Sequence, residues 1–260
     1  MRSSKPSIAE LRAVCQPDTI MGRASGEHWA GRLYMRHISI YLTRLLLPTP
    51  VTPDAVTWGM ILSGVAAAAV LAVPGVWTAV GALLLIQLQQ LLDCSDGEIA
   101  RWRQTTGPSG VYLDRIGHYV TEAGLLIAIG VRADGGYATI GGWTTWGLLG
   151  AVFVLMNKAE TDLVHVARAV AGLPKVEDSD EVSAPRASGL ARLRRVARIV
   201  PFHRIIGAQE LTMVAVVIAV VDLATGSLAG SRWFALVLVP VAAIVAGGHL
   251  LSVLASSRLR

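Results

Sequence analysis

Charge is scarce in this chain. Asp, Glu, Lys and Arg make up only 16% of its 260 residues, whereas soluble domains carry about 25%. Crosslinking chemistry is scarce too: the two cysteines, Cys15 before the apolar segments and Cys94 between two aspartates, exclude a disulfide framework. The first fifty residues hold seven arginines or lysines and no apolar h-region, so no secretory signal is predicted. Internal repeats and low-complexity tracts are absent. What remains is an apolar chain, 53% hydrophobic with mean hydropathy +0.54, too greasy for an ordinary soluble domain. The net charge of +5 is unevenly spread, and no nucleic-acid partner is expected.

Crossing a bilayer as a helix takes about 20 apolar residues. Six segments meet that length, near 54–73, 76–101, 109–131, 137–157, 205–224 and 231–254. Ahead of them, Arg32, Arg36 and Arg44 alternate with Leu33, Tyr34, Ile38, Ile40, Tyr41 and Leu45, the pattern of a helix lying among lipid headgroups. A disordered basic tail fits residues 1–28 better. The predicted fold class is therefore all-α integral membrane, six transmembrane helices with an N-terminal interfacial amphipathic helix. Residues 1–50 form a cytoplasmic arm and 51–260 the transmembrane domain, with a cytoplasmic insert at about 171–204. Within the insert, 176–182 is acidic, whereas 186–198 reads as a basic amphipathic helix on an anionic lipid surface. Arg101, Arg103, the cluster from Lys158 to Arg204, and Arg258 and Arg260 all fall on the side of the N-terminus. The positive-inside rule makes that side the cytoplasm.

Against this background, Asp93-Cys-Ser-Asp96-Gly97-Glu-Ile-Ala100-Arg101 and Gly110-Val-Tyr-Leu-Asp114-Arg-Ile-Gly-His118 stand out. Ionisable side chains at membrane depth are costly unless paired, hydrated or metal-bound, which makes them functional candidates. Helical periodicity puts Asp93, Asp96, Gly97 and Ala100 on one stripe, beside Arg101, and stacks Gly110, Asp114 and His118 on another. The short connection holds Gly107-Pro108, so the two helices are expected to be antiparallel neighbours with facing stripes. Three converging carboxylates repel one another unless a cation lies between them, and hard oxygen ligands suit Mg²⁺ or Mn²⁺. Small residues leave room for a ligand against the backbone, and Arg101 suits a phosphate. Together they suggest a diphosphate substrate. For a single acid, a structural pairing such as Asp114 with Arg115 is as good an account.

The full stretch resembles the signature of the CDP-alcohol phosphotransferases, D-x-x-D-G-x-x-A-R, about eight residues, then G-x-x-x-D-x-x-x-D. Asp93, Asp96, Gly97, Ala100, Arg101, Gly110 and Asp114 match it, and Thr52-Pro53-Asp54-Ala-Val-Thr57 is similar to the family's lead-in to its first span. The resemblance implies a CDP-linked donor, CDP-diacylglycerol in bacterial chains of this kind, an alcohol or polyol acceptor, and release of CMP. It implies that Asp93, Asp96 and Asp114 bind a first metal, that Gly97, Ala100, Arg101 and Gly110 line the nucleotide and diphosphate pocket with Asp93, and that the last signature position supplies the general base. That position is His118 instead of aspartate. A second metal site loses a carboxylate there and would shift toward ions that accept nitrogen, with His118 as a ligand. The base role survives, since imidazole titrates near neutrality.

The acceptor is less legible. Asn157 and Lys158 close the fourth span, and Arg204, Gln209 and Glu210 open the fifth on the same side, so these five are candidate acceptor-binding residues. A structural role is as good an account of each one. The site is expected to face the cytoplasm of a bacterial membrane, among membrane lipids, and family resemblance adds a homodimer. A transporter and a catalytically silent scaffold of the same fold are the rival functions.

Overall fold

The computed structural model describes residues 6–17, 29–174, 202–256 and 259; the acidic and basic parts of the insert, 176–182 and 186–198, lie outside the described residues. Among the described residues the chain is all helical, without strands. Its α-helices are α1 (Ile8–Cys15), α2 (Arg36–Leu46), α3 (Pro53–Leu71), α4 (Val76–Arg103), α5 (Pro108–Asp134), α6 (Gly142–Val170), α7 (Ala208–Thr225) and α8 (Ala229–Ala255). One π turn, Gly31–Met35, leads into α2.

Four of these helices, α3, α4, α7 and α8, are long and apolar enough to cross a membrane. This is the architecture of an all-α integral membrane protein. α5 and α6 are as long, at 27 and 29 residues, but carry more charge, including Asp114, Arg115, Glu122 and Arg132 on α5 and Lys158, Glu160, Asp162 and Arg168 on α6. The fourth segment also differs from its expected bounds of 137–157. Gly135 and Gly136 take φ of +110° and +106°, conformations open to glycine, so α6 starts later; no breaker then intervenes before Gly172, so it runs to Val170. Gly141 at its N-cap has no side chain to offer. Asp134, at the end of α5, caps the helix instead, accepting from the N–H groups of Gly141 at 2.7 Å, Trp143 at 3.2 Å and Thr144 at 2.7 Å, and from the Thr144 hydroxyl at 2.7 Å. Desolvation pushes the Asp134 carboxyl up, but these bonds outweigh it and hold the group below its ordinary value.

Two compact units are present, one of residues 1–67 and 84–121, the other of 68–83 and 122–260. In the first, α1 occupies part of the stretch expected to be a disordered tail. A capping box explains its start: Ser7 Oγ accepts from the Glu10 N–H at 3.2 Å, while the Glu10 carboxylate accepts from the Ser7 N–H at 2.7 Å. Burial explains its persistence, because Leu11 and Cys15 join Ile40, Leu47, Val56, Ile99 and Trp102 in one apolar cluster. The Arg103 guanidinium donates to the carbonyls of Leu47, Thr49 and Val51, pinning the turn between α2 and α3. α3 and α5 touch through Gly117: a Cβ there would come within 2.1 Å of the Met60 side chain and 2.9 Å of Ile61. Small residues permit this close approach of helix backbones.

In the second unit Arg132 is 1% exposed. Its guanidinium donates to the carbonyls of Val73 and Gly75, both at 2.9 Å, and to Ser231 Oγ at 3.1 Å. Ser231 in turn donates its hydroxyl to the Asp222 carboxylate. Arg132 thus ties the turn between α3 and α4 to the start of α8.

Candidate active site

The site is built from three helix ends of the first unit. Thr52 opens α3 by accepting from the Ala55 N–H at 3.2 Å, with Pro53 as the first helical residue, where its missing N–H costs nothing. Asp54 follows in the same first turn and Thr57 in the next. α4 supplies Asp93, Asp96, Gly97, Ala100 and Arg101. It ends where Gln104 adopts a left-handed conformation, φ +58°, and the Thr105 N–H closes on the Ala100 carbonyl at 2.9 Å. Thr105, Thr106 and Gly107 then turn the chain into α5, which supplies Gly110, Asp114 and His118.

Apart from Thr52, Ala55 and Gln104, these residues line one cavity of about 480 Å³. The structure therefore gathers Asp93, Asp96, Gly97, Ala100, Arg101, Gly110, Asp114 and His118 around one space, with Asp54, Thr57 and Arg36 beside them. Three of them are closer still. His118 Nε2 lies 3.5 Å from Asp93 Oδ1 and 3.5 Å from Asp114 Oδ1, and one ligand atom from each residue falls within 4.8 Å of the others. Octahedral ligands about 2.1 Å from a Mg²⁺ ion stand roughly 3 Å apart, so this trio, slightly more open, could hold one divalent cation after a small side-chain adjustment. The donors fit the group: two carboxylate oxygens and one imidazole nitrogen suit Mn²⁺ as well as Mg²⁺.

Asp96 is held differently. Its Oδ2 accepts from the Thr57 hydroxyl at 2.6 Å, and its Oδ1 accepts from the Gly97 N–H. It borders the cavity but falls outside the trio. Arg101 lies back over its own helix: a Cβ on Gly97 would be 3.0 Å from Nη1, so glycine is what gives the guanidinium that place. Its Nε donates to the Cys15 carbonyl at 2.8 Å.

Two residues carry more structure than their sequence positions suggested. Thr57 belongs to the Thr52–Thr57 stretch but had no stated partner. Glu98 is fully buried, accepting from Ser39 and Thr43 hydroxyls, both at 2.7 Å, and from Gln16 at 2.8 Å, with Arg36 at 3.5 Å. Its signal in the sequence is a lone acid on the helix face turned away from the signature stripe, in a chain with few acids.

The candidate acceptor residues belong to the second unit. Lys158 Nζ is 2.7 Å from Glu122 Oε1, so its charge is already countered. Gln209 is buried, Asn157 and Glu210 are half-buried, and Arg204 is exposed. Thr161 and His249 meet at 3.2 Å, joining α6 to α8.

Residues 50–175, which include every lining residue of the cavity except Arg36, match the family model for CDP-alcohol phosphatidyltransferases. No curated protein matches the chain.

Proposed function

With residues 50–175 placed in the CDP-alcohol phosphatidyltransferase family, we propose that this integral membrane transferase moves a substituted phosphate, most simply a phosphatidyl group, from CDP-diacylglycerol to an alcohol or polyol and releases CMP. One observation carries the reading: two carboxylates, an imidazole, a third acid and an arginine border a single cavity.

In this reading Asp93 and Asp114 hold a divalent cation, Mg²⁺ or Mn²⁺, and their partner distinguishes two arrangements. With Asp96 they form the all-oxygen set that family resemblance implies. With His118 they form the mixed set favoured by the 4.8 Å grouping. A bound divalent ion supplies positive charge to the donor's diphosphate. Arg101 adds charge-assisted hydrogen bonds to the same group, and Gly97, Ala100 and Gly110 keep the pocket wall low enough for the nucleotide. In the all-oxygen arrangement His118 Nε2 is the general base. It accepts the acceptor's hydroxyl proton, and the nearby carboxylates of Asp93 and Asp114 favour the imidazolium that forms. The acceptor oxygen attacks the phosphorus bearing the lipid, the bond to CMP breaks, and CMP leaves.

Six spans, with α5 and α6 completing the four apolar helices, put both termini and the cavity on the cytoplasmic side under the positive-inside rule. α2 supports an interfacial position, because Ile38, Tyr41 and Leu45 form an exposed apolar stripe. Asn157, Lys158, Arg204, Gln209 and Glu210 remain the acceptor candidates. With Lys158 paired to Glu122, a hydrogen-bonding polyol suits them better than a phosphorylated one.

The test is direct. Purified protein in lipid nanodiscs is incubated with CDP-diacylglycerol, Mg²⁺ or Mn²⁺ and a panel of alcohols, and CMP is measured. Acceptor-dependent CMP release is expected. No release from CDP-diacylglycerol or any soluble CDP-alcohol would leave the transporter or the silent scaffold as the better account.

A further inference from the structure

Glu98 sits in the middle of the signature stretch yet does not border the cavity. A carboxylate removed from water persists only when it is paired and hydrogen-bonded. Glu98 meets that condition entirely with groups of the N-terminal arm: Gln16 just beyond α1, and Arg36, Ser39 and Thr43 on α2. The Cys15 thiol donates to the Glu98 backbone carbonyl at 3.3 Å, so the end of α1 is fastened to α4 at this level.

One helical turn on, the same segment reaches the site. The Cys15 carbonyl accepts from Arg101 Nε at 2.8 Å, and the Arg101 guanidinium lies against Gly97 at the cavity wall. Arginine loses much rotamer freedom when it is immobilised. Here the arm meets that cost before a ligand arrives, which is preorganisation. The contacts run from Glu98 through Gln16 and Cys15 to Arg101.

We propose that the N-terminal arm forms part of the nucleotide site, with Glu98 as a positioning residue that acts through the end of α1 to hold Arg101 ready for the donor's diphosphate. This rests on reading the cavity as a nucleotide site.

The experiment titrates CDP with Mn²⁺ into the full-length protein in nanodiscs by calorimetry, alongside thermal unfolding and the split between KM and kcat for CMP release. Three variants are compared: Glu98→Ala, the isosteric Glu98→Gln, and Leu11→Ala, which loosens α1 from its buried cluster without touching a cavity residue. Glu98→Ala is expected to weaken CDP binding by about tenfold, the scale seen when a residue supporting a binding group is lost. Leu11→Ala should weaken it several-fold and Glu98→Gln should recover most of the loss. KM for the donor should rise more than kcat falls. If Glu98→Ala does not fold, Leu11→Ala decides by the same measure. Folded Glu98→Ala or Leu11→Ala protein with wild-type CDP affinity overturns the proposal and leaves α1 a structural anchor, while the functional reading stands. A wild-type protein that binds no CDP removes the nucleotide reading, and this proposal with it.

Discussion

The Thr57 hydroxyl on α3 donates to Asp96 Oδ2 on α4 across 2.6 Å, and Thr57 is 2% exposed. A neutral donor therefore holds one signature acid, while the other two face an imidazole. Hydrogen bonds to charged groups contribute about 1.5–3 kcal/mol. Thr57→Val keeps the shape and removes the donor, freeing Asp96 to rotate. CMP release should fall about tenfold or more, since 1.4 kcal/mol corresponds to tenfold, while thermal unfolding shifts down by a few degrees and the protein stays folded. Wild-type turnover in the valine variant would show that Asp96 needs no such support.

Asp93→Asn removes one of the two carboxylates common to both metal arrangements. Metal-dependent CMP release should drop by on the order of 10²-fold or more, the scale for losing one electrostatic group in an active site. Mn²⁺ binding, read by electron paramagnetic resonance, should weaken in parallel. Retained activity at ordinary Mn²⁺ concentrations would count against metal catalysis at this site.

In the proposed mixed set, His118→Asp exchanges a nitrogen ligand for a third oxygen. Oxygen ligands favour Mg²⁺, whereas imidazole suits transition ions. The variant should retain turnover, with the activity ratio of Mg²⁺ to Mn²⁺ moving toward Mg²⁺ in parallel metal titrations. An inactive variant with unchanged metal affinity would mean that the imidazole itself moves the proton.

Asp134 offers a stability measurement away from the chemistry. Its folded-state pKa is depressed, so its contribution is present above the unfolded value, about 3.9, and is lost as pH falls through the folded one. A negative charge at a helix N-terminus contributes about 0.3–1 kcal/mol. Asp134→Asn should therefore unfold at a lower temperature at pH 7, and its deficit against wild type should shrink below about pH 4. A deficit that is constant with pH would assign the effect to shape alone.

Hydropathy made the long helices legible because a bilayer demands uninterrupted apolar runs, and spacing alone put Asp93, Asp96, Asp114 and His118 on facing stripes. The contacts of Glu98 were not legible. Its partners lie 55 to 82 residues away in sequence, at Thr43, Ser39, Arg36 and Gln16, and only tertiary packing brings them together. α1 had a local signal, the Ser7 and Glu10 box, but one short helix becomes stable only against Ile99 and Trp102. The late start of α6 depended on how Gly135 and Gly136 bend, and on a cap supplied by Asp134 from the preceding helix. The trio's tight spacing was also beyond sequence, which gives a stripe but not a distance.

The buried guanidinium of Arg132 bears on biogenesis. The carbonyls that receive it, at Val73 and Gly75, are synthesised before it, whereas Ser231 arrives 99 residues later. Until that later segment is made, only the carbonyls between α3 and α4 are on hand to receive the cation. A chain cut before Ser231 would lack the hydroxyl that joins this cation to α8.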